Sequence, residues 1–114
     1  MSSQEQIKEQ ITKEFDEALL ARRQGNEGKV RVCVRRGVAI AIADFYSSRG
    51  VSILKKDVID LLKIFLEDDT INESARQAAV RISSRITPHF QYAHPTDPLE
   101  DAQLILDYIR DEGK

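Results

Sequence analysis

The sequence predicts an all-α protein, a compact bundle of about five helices that forms a single domain over residues 1–114. Along most of the chain, apolar residues recur every three or four positions, which is the spacing of a helix with one buried face. Helix breakers are few, with five glycines and three prolines. A chain of 114 residues supplies one hydrophobic core. Since 41% of the residues are hydrophobic and 32% are charged, wholesale disorder and low-complexity architectures are excluded.

The first predicted helix begins near Ser3. Ser2 and Glu5 have the spacing of a capping box, in which each side chain bonds the backbone N–H of the other residue. Gly25 is the expected stop, because glycine tolerates the left-handed conformation that ends many helices. The predicted inner face consists of Ile7, Ile11, Phe15, Ala18 and Leu19.

The second predicted helix follows Asn26, a residue type that caps helix N-termini. Valine or isoleucine also stands at every second position in 30–34 and again in 38–42, so a β-hairpin that turns at 35–37 is the alternative. Alanines at the intervening positions and the lack of an Asn-Gly or Asp-Gly turn favour the helix. The predicted buried stripe consists of Val30, Cys33, Val34, Gly37, Val38, Ala41 and Phe45.

Three further helices complete the predicted bundle. Ser52 is the expected cap of the third, and Thr70 with Glu73 forms a second capping-box pattern for the fourth. Asp97 followed by Pro98 is typical of a helix start. The third helix has a wide apolar face, which indicates a central position: Leu54, Val58, Ile59, Leu61, Leu62, Ile64, Phe65 and Leu66. The five predicted helices span approximately 3–24, 27–48, 52–67, 70–86 and 97–111.

A second apolar stripe on helix two suggests a contact surface. It lies opposite the predicted buried stripe, and helix five has a smaller apolar pair outside its own buried face. One interpretation is that helix two is surrounded by the other helices. The other is a self-complementary interface, since two-fold homodimers are the commonest oligomers. The predicted interface consists of Val32, Ala39, Ala43, Tyr46, Leu104 and Tyr108. We therefore expect a protein that acts by association, as a homodimer or with another protein.

The strongest local charge lies at 22–36, where six cations accompany one acid. Such a segment at a helix N-terminus is a candidate RNA- or phosphate-binding site. The predicted anion-binding residues are Arg22, Arg23, Lys29, Arg31 and Arg35. The competing interpretation pairs the arginines with acids of helices three and five: Asp57, Asp60, Glu67, Asp68, Asp69, Glu100 and Asp101. Because no aromatic residues interleave with the arginines, nucleic acid is not the favoured partner.

An enzymatic alternative comes from Arg85 and His89. This pair is similar to the Arg and His of the higher-eukaryote-and-prokaryote nucleotide-binding (HEPN) domains, small helical bundles that are often dimeric. The resemblance implies ribonuclease activity with Arg85 and His89 as the catalytic pair. In that family four to six residues separate the two, whereas three separate them here, and Pro88 precedes the histidine. The residues therefore favour a protein without catalytic residues.

No cofactor, metal or membrane segment is expected. His89, His94 and Asp97 are possible metal ligands, but they lack a zinc-site spacing, and Asp97 is better explained as a helix cap. The longest apolar run is too short to cross a bilayer. With one cysteine and no basic-then-apolar leader, the sequence predicts a cytoplasmic protein.

Overall fold

The computed structural model describes residues 3–84 and 97–112, which contain five α-helices and no strand. The predicted all-α fold is confirmed. In chain order the helices are α1 (Ser3–Arg23), α2 (Glu27–Ser47), α3 (Val58–Glu67), α4 (Glu73–Ser83) and α5 (Pro98–Glu112).

Helix α2 is the central element, since each of the other four helices packs against it. It is a helix of 21 residues and not a hairpin, and the Asn26 side chain accepts the Lys29 backbone N–H at its start, as predicted. Buried residues lie on most of its circumference, which is typical of a helix enclosed by others. They are Val30, Arg31, Cys33, Val34, Gly37, Val38, Ala39, Ala41, Ile42, Phe45 and Tyr46.

Close packing of α1 on α2 depends on Gly37. A Cβ atom at this position would lie 3.1 Å from Cζ and 3.3 Å from Cε2 of the Phe15 ring. The ring therefore occupies the space that any other side chain at position 37 would need. Ala18 and Ala21 extend the contact along α1 and are also buried.

An aromatic cluster joins the C-terminal half of α2 to α3 and α5. The Phe45 ring contacts Tyr46, Phe65 and Tyr108, with centroid separations of 5.1, 6.5 and 6.3 Å. The Tyr46 hydroxyl donates to Asp68 at 2.6 Å, beyond the end of α3. Burial by itself would raise the pKa of Asp68, but the hydrogen bonds from Tyr46 and Thr70 outweigh burial and lower it.

Helices α4 and α5 pack through small residues and one buried ion pair. Ala75, Ala78 and Ala79 are fully buried, so the helix axes can approach closely. Nε and Nη2 of Arg81 both donate to Asp101, at 3.0 and 2.9 Å. The Asp101 side chain is 1% exposed, and a buried carboxylate of this kind requires such a partner.

Two predicted helix starts are wrong. Helix α3 begins at Val58 rather than at Ser52, because Asp57 and Asp60 form a reciprocal capping box. Helix α4 begins at Glu73, capped by Asn72. Its predicted cap, Thr70, instead donates its N–H and hydroxyl to Asp68.

Three residues assigned to inner faces are exposed instead. Leu19 lies on the open side of α1, Leu54 precedes α3, and Ile59 lies on the outer side of α3. The late start of α3 explains Leu54, which has no helix to place it against the core. Ser2 and the predicted end of the fourth helix at 85–86 lie outside the described residues.

We predict opposite stability changes at two glycines of α2. Gly37→Val forces its side chain into the Phe15 ring and should lower the free energy of unfolding by about 1–3 kcal/mol. Gly28→Ala, whose Cβ meets only the side-chain oxygen Oδ1 of Asn26 at 3.7 Å, should raise it by about 0.5–1 kcal/mol. Chemical denaturation of both variants measures the difference. A Gly37→Val protein as stable as wild type would show that α1 does not pack on α2 this closely.

Candidate binding surfaces

The six predicted interface residues do not form one open surface. Ala39 and Tyr46 are buried, and Ala43 and Tyr108 are partly buried against the core. Tyr46 and Tyr108 do come together, but around the Phe45 ring inside the aromatic cluster. The remaining two, Val32 and Leu104, are exposed. The second stripe on helix two is therefore largely covered within the described part of the chain.

Ala39 and Ala43 nevertheless line an open groove of about 590 Å³ between α1, α2 and the start of α3. Because their side chains are small, α2 leaves room here between its two neighbours. The apolar lining of this groove, which we call the α1–α3 groove, consists of Ile7, Ala39, Ile40, Ala43, Ile53, Val58 and Leu61.

The most exposed large apolar side chain among the described residues lies in the segment that lines this groove. Leu54 is 79% exposed and stands between Ile53 and Lys56, which both line the groove. Ile59, which is 74% exposed, lines a separate hollow with Leu62 and Leu66 on another side of α3. Full burial of a leucine side chain is worth about 1.5–3 kcal/mol. An apolar hollow flanked by a protruding apolar side chain is a feature of surfaces that bind other proteins.

Charges of both signs surround the α1–α3 groove. Glu14, Asp44 and Asp57 supply three acids, and Arg36 and Lys56 supply two bases. Asp44 also accepts a hydrogen bond from the Gln4 side chain at 3.0 Å. A mixed rim can form ion pairs with another mixed surface, whereas a rim of one sign would repel its own copy.

The predicted anion-binding residues have different environments. Arg22 donates to Glu27 at 3.1 and 3.2 Å and to Asp97 at 2.6 Å, so it holds the end of α1 against the starts of α2 and α5. Arg35 donates from Nε and Nη2 to the carbonyls of Ile82 and Ser84, each at 2.6 Å.

The other three anion-binding candidates are not bonded in this way. Arg23 and Lys29 are exposed near the start of α2, whereas Arg31 is buried on that helix. The five residues therefore do not share one open basic surface. Among the acids of the alternative pairing, Asp101 pairs with Arg81 of α4.

Asp97 has the capping role that the sequence predicts. Its carboxylate accepts the Leu99 N–H at 2.9 Å, and its other oxygen accepts from Arg22. Burial tends to raise the pKa of Asp97, but the bonds from Arg22 and Leu99 prevail, so the pKa lies below its ordinary value of 3.8.

A possible metal-ligand group that the sequence analysis did not single out lies between α1 and α2. Glu14, Glu17 and Cys33 place one ligand atom each within 4.8 Å of one another. Arg36 already supplies a cation to all three, with Nη2 at 3.0 Å from Glu14, 3.7 Å from Glu17 and 3.6 Å from the Cys33 sulfur. The simplest explanation of the group is this ion pair, which ties α2 to α1.

Arg85, His89 and His94 lie outside the described residues, so the ribonuclease-like pair and the metal-ligand interpretation of the histidines stay predictions. Among the described helices, none combines the length and the apolar character that a membrane span requires. Comparisons with protein-family models, with curated proteins and with solved structures gave no match to this chain.

We predict a change in the acid stability of the Asp97→Asn variant. A carboxyl group with a lowered pKa stabilises the fold above its unfolded-state pKa, and this contribution is lost as pH falls through the folded-state value. Asparagine keeps the cap but removes the charge. Since both side chains of the Arg22 pair are about one-third exposed, solvent screening limits the loss near pH 7 to about 0.2–1 kcal/mol.

The difference between wild type and Asp97→Asn should shrink as pH falls below 3.8, and it should vanish once pH is below the lowered folded-state pKa, where folded wild type also loses the charge. Urea unfolding at a series of pH values measures it. A difference that stays constant down to the lowest pH would contradict the assigned ion pair.

Proposed function

We propose that this protein acts by association and that its partner is a second copy of the same chain, bound at the α1–α3 groove. The observation that carries the proposal is the juxtaposition of an apolar groove with Leu54, the most exposed large apolar side chain among the described residues. In a two-fold arrangement, the Leu54 side chain of each copy enters or covers the groove of the other, so both are buried at once.

The charges at the rim support a second copy over a partner of one charge sign. With Arg36 and Lys56 on the same rim as Glu14, Asp44 and Asp57, a two-fold axis can place bases of one copy against acids of the other. A strongly basic or acidic partner would meet like charges at part of this rim.

Two residues of the predicted interface keep their role in this proposal. Ala39 and Ala43 line the groove and would contact the inserted side chains. Tyr46 and Tyr108 act instead through the core, where they pack on Phe45.

Leu54→Glu tests the proposal without disturbing the core, because Leu54 precedes α3 and is largely exposed. Light scattering after size exclusion should give twice 13.0 kDa for wild type and 13.0 kDa for the variant. A charge buried in an apolar contact costs more than the contact gains. Leu20→Glu is the matched control, since Leu20 is exposed on α1 and does not line the groove, and it should remain dimeric.

Two outcomes would contradict the proposal. A wild-type mass of 13.0 kDa at every concentration would exclude the homodimer, and a dimeric Leu54→Glu protein would exclude this surface. Circular dichroism of each variant shows whether the helices are retained, so that loss of the dimer is distinguished from loss of the fold.

A further inference from the structure

Arg31 is a buried cation whose hydrogen-bonding edge has no acceptor among the described residues. It lies on α2 and is 4% exposed. Its Nε and Nη2 atoms are both buried, and neither has a hydrogen-bond partner. Leaving a buried polar group unpaired is costly, and the cost is larger for a charged group. A guanidinium in this position is therefore expected to acquire an acceptor.

Three other arginines show how the Nε and Nη2 edge of a guanidinium is bonded elsewhere in the protein. In Arg22, Arg35 and Arg81, the same two atoms, Nε and Nη2, both donate to oxygen. The acceptors are a carboxylate, a pair of backbone carbonyls and a second carboxylate. Arg76 also has a buried Nε without a partner, but its Nη2 donates to the carbonyls of Asp68 and Ile71. Arg31 differs because neither Nε nor Nη2 has an oxygen acceptor among the described residues.

Several acceptors on α2 and at the adjoining helix ends are bonded to other arginines. Glu27, one helical turn before Arg31 on α2, is bonded to Arg22. The carbonyls at the end of α4 bond Arg35, which lies one turn after Arg31. At the start of α5, Asp97 is paired with Arg22 and Asp101 with Arg81. These contacts place Arg22, Arg35 and Arg81 near the end of the bundle where α1 and α4 end and α2 and α5 begin. Arg31 lies on α2 between Glu27 and Arg35.

We propose that Arg31 binds an oxyanion, with Nε and Nη2 donating to two oxygens of a phosphate or carboxylate group on a small ligand. This edge is a rigid fork whose spacing matches both groups, and arginine keeps its charge at all physiological pH values. Arg23 and Lys29, exposed near the start of α2, add long-range attraction for an anion. Since the two nitrogens are buried, a ligand reaches them only when neighbouring atoms shift, and association is slower than diffusion.

Thermal unfolding in sodium phosphate, sodium acetate and sodium chloride of equal ionic strength tests the proposal. Relative to chloride, phosphate or acetate should raise the Tm of wild type by about 4 °C or more. Arg31→Met should abolish this rise, because methionine fills the space without donating. Arg23→Met, which removes an exposed cation of the same segment, should retain it. A rise in phosphate alone identifies a phosphate site, and a rise in both salts identifies a site for either group.

Three results would overturn the proposal. They are no rise in wild type, an equal rise in Arg31→Met, and a rise that Arg23→Met abolishes as completely as Arg31→Met does. If Arg31→Met does not fold in chloride, Arg31→Lys replaces it, since lysine keeps the charge without the fork. Titration calorimetry with inorganic phosphate should then show at least about a ten-fold loss of affinity, and an unchanged affinity would exclude the fork.

Discussion

The enclosure of α2 by four other helices is the constraint on which the rest of the structure depends. A helix that is apolar on most of its circumference is stable in water only if neighbours cover it, and the chain supplies one neighbour for each side. The interaction that holds α2 differs from one neighbouring helix to the next. Gly37 admits the Phe15 ring from α1, Phe45 joins the aromatic rings of α3 and α5, and Arg35 bonds the terminal carbonyls of α4.

This arrangement also determines which surfaces remain for binding. Because α3 is only 10 residues long and the segment before it is not helical, α3 and α1 do not meet over Ala39 and Ala43. The gap is the α1–α3 groove, and the exposed side chain of Leu54 belongs to the segment that lines it. Toward the other end of α2, acceptors at the adjoining helix ends bond Arg22, Arg35 and Arg81, whereas Nε and Nη2 of Arg31 have none among the described residues. Association and anion binding are therefore proposed at opposite ends of one central helix.

Patterns of periodicity and capping predicted the fold class and four of the five helices to within a few residues. They could not give the start of α3, because Ser52 and Asp57 are both acceptable caps and only the reciprocal bonds with Asp60 decide between them. The binding surfaces were predicted less well. A helical wheel shows that Tyr46 is opposite Gly37, but it does not show that Asp68 accepts the Tyr46 hydroxyl. Likewise, the sequence shows a row of cations at 22–36 and not which of them find acceptors, since those acceptors lie up to 75 residues away.

Amide hydrogen exchange at low and high protein concentration tests most directly the claim that α2 is the core while the start of α3 is the contact surface. We expect α2 to exchange most slowly at both concentrations, because its amides open only on global unfolding. Residues 51–59 should exchange more slowly at high concentration, where the dimer covers them. If α2 exchanges as fast as the outer helices, α2 is not the core. If high protein concentration protects another region instead, residues 51–59 are not the contact surface.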